Sequence, residues 1–353
     1  MIENLVKKTI RTFTNYSPPP FEGKIILNAN ENSTDIFHDK FLSELTDSLQ
    51  KLALNRYPDS DSTHLCRLFA ASVGAAGNEV IAGVGCDEII GNILDAFMEK
   101  EDVVLSLNPT FSMYETLTVI AGGRYHAIGC DENFVPDVEH IIDTANKLQA
   151  KILFLCSPNN PTGYTFSQAQ LRRILDATSC LVVLDEVYAD YAKASCLHLY
   201  QDYERLIVLR TLSKAFSLAG IRVGFGIAQA KTMQYLYRVK VPYNVNVLSQ
   251  AAAQIALSNV ELIYEHTAQT IQRRQALIEE LKQIKEIITY PSQSNFILIK
   301  VDDRAKYKSC ADKHGIALKY FSNKILQNHI RITVGSTEEN AALISMLKEA
   351  SQP

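Results

Sequence analysis

No CxxC pair, no HExxH helix, no GxxxxGK[ST] loop and no stretch of apolar residues long enough to cross a membrane occurs in these 353 residues. Each absence removes a class of protein. The seven cysteines are odd in number and scattered, and several, such as Cys156 and Cys180, sit inside apolar runs. They predict small core residues in a reducing cytoplasm, with no disulfide framework and no structural zinc. The N-terminus, MIENLVKKTIRTF, lacks the apolar centre of a secretory signal. A net charge of −4 without a long run of either sign gives no surface for nucleic acid or an anionic membrane.

What is present is a chain that alternates. Its hydrophobic content of 47% suits a large core, and its length suits one large α/β domain with a smaller one. From about residue 80, short apolar runs (79–84, 102–107, 124–129, 151–156, 180–185, 206–211 and 223–228) predict strands. Between most of them lie amphipathic stretches such as 87–100 and 167–178, the latter opening on a capping box formed by Ser167 and Gln170. Alternation of this kind predicts a mainly parallel sheet flanked by helices. From about residue 246 the pattern becomes a long helical stretch followed by strands at 294–300, 316–320 and 329–335 and a final helix, a smaller α+β unit. The expected division is an N-terminal segment (1–45), a large domain (46–245) and a small domain (246–353).

Three turns follow predicted strands and carry chemistry. GVGCDE (83–88) ends in Glu88 where a dinucleotide fingerprint needs glycine, so only a tight turn with free N–H groups at a helix start remains. That turn suits a phosphate, and equally a plain glycine turn with Asp87 near the helix start. CSPNNPTG (156–163) offers Asn160 at the sheet edge where open α/β sheets bind ligands. LVVLDEVYADY (181–191) ends its strand on Asp185, with Tyr188 three residues later. A carboxylate there needs a cation, a helix to cap, or a protonated ring nitrogen.

RTLSKAFSLAGIR (210–222) sets Lys214 in small, apolar surroundings, with Arg222 eight residues on. A snorkelling surface lysine satisfies this pattern; so does a lysine kept neutral enough for Schiff-base chemistry. Asn160, Asp185, Tyr188, Lys214 and Arg222 all fall at strand ends that a parallel sheet brings to one crevice. A lysine for a Schiff base, a carboxylate for a pyridinium and an arginine for a phosphate are the needs of pyridoxal 5′-phosphate.

With LNANEN (27–32), NRYPDS (55–60) and HIRITVG (329–335), these motifs make the chain resemble the aspartate aminotransferase-like, class I/II superfamily of pyridoxal-phosphate enzymes. Within it, the chain is similar to the histidinol-phosphate aminotransferases. The resemblance implies a cytoplasmic homodimer with shared active sites, converting L-histidinol phosphate and 2-oxoglutarate by a ping-pong route through Lys214. An aromatic aminotransferase, a phospho-amino-acid decarboxylase and a non-enzymatic ligand-binding module are the alternatives on the same fold.

It further implies that Lys214 holds the cofactor, Asp185 keeps its ring nitrogen protonated, and Asn160 and Tyr188 bond its phenolic oxygen. Gly85, Cys86, Asp87, Thr211, Ser213 and Arg222 would form the phosphate cup. Phe111 would stack on the ring, where many relatives carry tyrosine. Tyr57 would reach the neighbouring subunit's phosphate, and Tyr243 would lie near the cofactor. Arg331 would receive the substrate's anionic group, with Lys319, Asn30 and Tyr16 assisting. Lys319 stands where relatives commonly carry arginine, keeping the charge without the bidentate fork.

Overall fold

The computed structural model describes residues 2–11 and 23–352. Tyr16 and the PPP run at 18–20 lie outside the described residues. Twelve strands are present among them: β1 (Ile25–Leu27), β2 (Val80–Val84), β3 (Val103–Asn108), β4 (Arg124–Gly129), β5 (Ile152–Cys156), β6 (Leu181–Asp185), β7 (Leu206–Thr211), β8 (Val223–Ile227), β9 (Ile288–Thr289), β10 (Phe296–Lys300), β11 (Ile316–Tyr320) and β12 (His329–Thr333).

Seven of them form one sheet in the order β2-β8-β7-β6-β5-β3-β4. The run from β7 to β4 is parallel throughout, and β8 lies antiparallel to both β2 and β7. The central strands are apolar at successive positions because both faces are covered. Leu153, Val182 and Val208 enter one core, while Phe154, Val183 and Ile207 enter the other. The second sheet runs β1-β11-β12-β10-β9, and only its β1–β11 pair is parallel. Tyr307, Leu343 and Leu347, from helices Arg304–Lys313 and Thr337–Ala350, pack with Leu277 and Leu281 against Ile297 and Ile332.

Helix starts follow their caps. Asp35, Asp137, Ser167, Asn246, Asp303 and Ser336 each accept a backbone N–H of the helix they open. The capping box of Ser167 and Gln170 forms as its sequence predicts. The long helical stretch after residue 246 divides into Val247–Leu257 and Val260–Leu281. At the break Ser258 and Asn259 turn their side chains back onto the carbonyls of Gln254 and Ile255. The N-terminal residues 25–27 do more than lie against the rest: they complete the second sheet.

Strand direction positions the site. β5, β6 and β7 all end at the same edge, so the turns after Cys156, Asp185 and Thr211 emerge together. β2 runs the same way as β7 and delivers Gly85 there. The reversed β8 starts at that edge, which puts Arg222 beside them.

Candidate active site

The converging turns line a cavity of about 130 Å³ between Phe111, Asn160, Asp185, Tyr188, Lys214 and Arg222, with Cys86, Asp87, Thr211 and Ser213 also on its wall. Asp185 closes its floor and is 3% exposed. One carboxylate oxygen accepts the Tyr114 hydroxyl at 2.5 Å, the other the Val187 N–H at 3.2 Å. Burial still dominates and pushes the carboxyl up to about 6, with Asp87 and Glu186 adding like charge.

Lys214 is half-buried, and its Nζ donates to the Ala29 carbonyl at 3.2 Å while lying 5.6 Å from the Tyr188 ring centre. Burial lowers the amine to about 8, and the positive charge of Arg331 works in the same direction. Such an amine is neutral in roughly a tenth of molecules at pH 7, far more often than an ordinary lysine. The Tyr188 phenol is buried, accepts the Asn30 side-chain N–H at 2.9 Å, and is raised above its ordinary value by burial.

At the other end of the cavity the helix Gly85–Phe97 begins without a side-chain cap. Gly85 has φ of 73°, and a Cβ placed on it would come within 2.6 Å of the Arg222 guanidinium. The guanidinium also reaches Ser213 Oγ and Asp87 Oδ2, each at 3.4 Å. Thr211 Oγ1 accepts the Ser213 N–H at 3.1 Å and fixes that turn. Free N–H groups and a guanidinium facing one space form an anion cradle.

Asn160 is presented by a loop that its neighbour organises. Asn159 is buried, accepts the Thr110 hydroxyl, and donates to Pro109 O and Thr162 Oγ1. Gly163, with φ of 76°, presses that loop onto Pro291 and Ser292 so closely that any Cβ would collide with their backbone. From the second sheet, Arg331 reaches across to Asn160 Oδ1 at 2.6 Å and to the Asn28 carbonyl at 2.6 Å. Lys319 is the Cα partner of Arg331 in the adjoining strand.

Two tyrosines stand apart from the cavity wall. Tyr57 is 82% exposed and stacks on Tyr243, 43% exposed, at 4.7 Å between ring centres. Lys240, itself buried, holds that loop by donating to Ser60 O at 2.7 Å and pairing with Asp61 at 3.4 Å.

Tyr114 carries a hydrogen bond at the heart of the site that no sequence motif flagged. Its only signal was its place three residues after Phe111, in the first turn of the helix that follows. Arg210 was missed too: it pairs with Asp190 at 3.5 Å and lies 4.0 Å from the buried Glu186, the residue after Asp185.

A fold of this kind, with a lysine, a carboxylate and an anion cradle at one sheet edge, is shared with known enzymes. The family Aminotransferase class I and II matches residues 22–347, and the chain belongs to it. The histidinol-phosphate aminotransferase of Clostridium kluyveri is 36% identical over 349 residues, 99% of each chain. That of Ruminiclostridium cellulolyticum is 37% identical over 354 residues, 98% of each. Among solved structures, the histidinol-phosphate aminotransferase of Sinorhizobium meliloti in complex with pyridoxal-5′-phosphate superimposes with a TM-score of 0.88 at 22% identity, covering 98% of this chain and 97% of that one.

Proposed function

We propose that the chain is a pyridoxal-phosphate-dependent histidinol-phosphate aminotransferase. It exchanges an amino group between L-histidinol phosphate and 2-oxoglutarate, giving imidazole-acetol phosphate and L-glutamate, in histidine biosynthesis. The observation that carries this reading is Lys214, a depressed amine sharing one cavity with Asp185 and Arg222, in a chain matched end to end by such enzymes.

The residues fit the cofactor. The glycine turn at Gly85 leaves room for phosphate oxygens that a Cβ would take from Arg222. The raised Asp185 carboxyl lacks the cation that a protonated ring nitrogen would provide. Phe111, on the cavity wall, offers a flat apolar face.

When bound, pyridoxal 5′-phosphate supplies a carbonyl carbon for amine exchange and a protonated ring that draws electrons from the substrate's Cα. Lys214 Nζ would hold it, and the same amine is placed to act as the base that takes the proton from the substrate's Cα. Asp185 holds the proton on the ring nitrogen. Tyr188, fixed by Asn30, and Asn160 orient the ring through its phenolic oxygen. Gly85, Cys86 and Asp87, with Thr211, Ser213 and Arg222, hold the phosphate. Arg331 and Lys319 receive the substrate's anionic group, which orients the Cα–H bond.

The same reading divides the chain into an N-terminal segment (1–45), a cofactor-binding domain (46–245) and a substrate-capping domain (246–353). It makes the active enzyme a cytoplasmic homodimer. The exposed Tyr57–Tyr243 pair supports the dimer, Tyr57 being directed to the partner's phosphate and Tyr243 lying near the cofactor. Tyr16 is assigned to the substrate on sequence alone. No helix among the described residues is long and apolar enough to cross a membrane.

The test mixes cofactor-loaded protein separately with L-histidinol phosphate, phenylalanine and O-phosphothreonine. Loss of the visible absorbance band with the first alone, and its return on adding 2-oxoglutarate, is the expected result. Conversion by phenylalanine would move the protein to the aromatic aminotransferases. Carbon dioxide from phosphothreonine would make it a decarboxylase.

A further inference from the structure

Tyr114 is fully buried in the helix Met113–Ala121, yet it meets three different parts of the site. Its ring lies flat on Phe154 of β5, with centres 4.7 Å apart and planes 5° apart. Its edge meets Phe111 at 5.5 Å and 84°, an edge-to-face pair. Its hydroxyl donates to Asp185 Oδ2 at 2.5 Å. Since Val187 N–H binds the other oxygen, the carboxylate plane is fixed by these two donors. Phenol and phenyl rings are rigid, so with Phe154 as the base a single side chain sets how far Asp185 sits from Phe111.

We propose that Tyr114 is a positioning residue for the cofactor ring, holding the face-stacking Phe111 and the ring-nitrogen acceptor Asp185 in one fixed relation. This rests on the proposed cofactor. A ring stacked on Phe111 meets Asp185 at its nitrogen only if the carboxylate is turned towards it. The Tyr114 hydroxyl on Oδ2, with the Val187 N–H on Oδ1, fixes that turn. It also stabilises the ionised carboxylate, the form that accepts a pyridinium N–H, against the burial that opposes it.

The role is separable from packing, because Tyr114→Phe keeps both ring contacts and removes only the donor. Cofactor-free protein, wild type and variant, is titrated with pyridoxal 5′-phosphate and with its 1-deaza analogue, in which carbon replaces the ring nitrogen. The variant is expected to bind the natural cofactor roughly 10- to 100-fold more weakly. It should bind the analogue about as tightly as wild type does, and that binding also certifies its fold. Equal loosening for both compounds, or for neither, overturns the proposal.

A second comparison removes any dependence on how well Tyr114→Phe folds. In an Asp185→Asn background no carboxylate is left to be unpaired, so adding Tyr114→Phe is expected to change cofactor affinity little. Full additivity of the two losses overturns the proposal. If wild-type protein takes up no cofactor, the functional reading itself falls, a result distinct from either of these.

Discussion

The guanidinium of Arg331, in the second sheet, donates to the side-chain oxygen of Asn160, in the loop after β5 of the first, at 2.6 Å. One bond thus joins a substrate-binding candidate to a cofactor-binding one. Arg331 spans both because its second nitrogen reaches the Asn28 carbonyl, also at 2.6 Å. A lysine has no fork with which to make both contacts.

Arg331→Lys is therefore expected to lower kcat/KM for L-histidinol phosphate by roughly 10- to 100-fold, mostly through KM. Steady-state kinetics with this substrate and with 2-oxoglutarate checks it. An unchanged KM for both would remove Arg331 from the substrate site.

Asp185 gives a pH signature in the cofactor-free protein. Its folded-state value, about 6, lies above the ordinary 3.8. Between those values the folded state binds more protons than the unfolded one, so stability falls as pH rises through that window. Asp185→Asn removes this cost and should stabilise the cofactor-free protein above pH ~6 by on the order of 2 kcal/mol. Urea unfolding at pH 4 and pH 7 reads the difference, which should be small at the lower pH. In loaded protein the same substitution is expected to weaken cofactor binding.

Lys214 shifts the other way, from 10.5 to about 8. Between about 8 and 10.5 the unfolded chain binds the extra proton, so stability rises with pH across that interval. Lys214→Met is expected to raise the melting temperature of cofactor-free protein at pH 7, with the gain shrinking above pH 8. Reduction of loaded wild type with borohydride should fix the cofactor to the Lys214 peptide, and mass spectrometry of the variant should find no such adduct.

Gly224 in β8 faces the backbone of the anion cradle. A Cβ there would fall 2.6 Å from Cys86 N and 2.7 Å from Gly85 C. Gly224→Ala must displace the helix start at Gly85 and Cys86, and phosphate competition against cofactor binding should weaken with it. A crystal structure of the variant with Gly85 and Cys86 unmoved would contradict this.

Lys240→Met would free the loop that carries Tyr57 from its bonds to Ser60 and Asp61. If Tyr57 serves the neighbouring subunit, the dimer dissociates at higher protein concentration and cofactor affinity falls in parallel. Sedimentation at several concentrations reads the first, fluorescence titration the second.

The runs mark the seven strands of the large sheet to within one residue at each end, because strands buried on both faces leave uninterrupted hydrophobic stretches; the edge strand β4, largely exposed, is the exception to that reason. The cavity-lining residues were legible because parallel strands bring consecutive turns to one edge. What the sequence could not carry was pairing across long separations. Nothing local says that Ile25 lies beside Ile316, that Tyr57 stacks on Tyr243, or that Tyr114 binds Asp185. The helix break at Ser258 escaped for another reason: neither residue is a glycine or proline, and the side chains of Ser258 and Asn259 bond back to the carbonyls of Gln254 and Ile255 where the helix ends.

The carbonyls of Asn28 and Ala29 take hydrogen bonds from Arg331 and Lys214, the side chains proposed for the substrate's anionic group and for the cofactor. Before any ligand arrives, both nitrogens already have a partner in their own chain. Entry at Arg331 is then a swap of partners instead of a rescue of bare charge. A small monovalent anion offers too little to displace a well-placed carbonyl, whereas a phosphate ester with several oxygens can match the bond it replaces and add others. On the proposed assignment, the Asn28 carbonyl just after β1 is a resident competitor at Arg331, displaced by an anion according to how many contacts that anion returns.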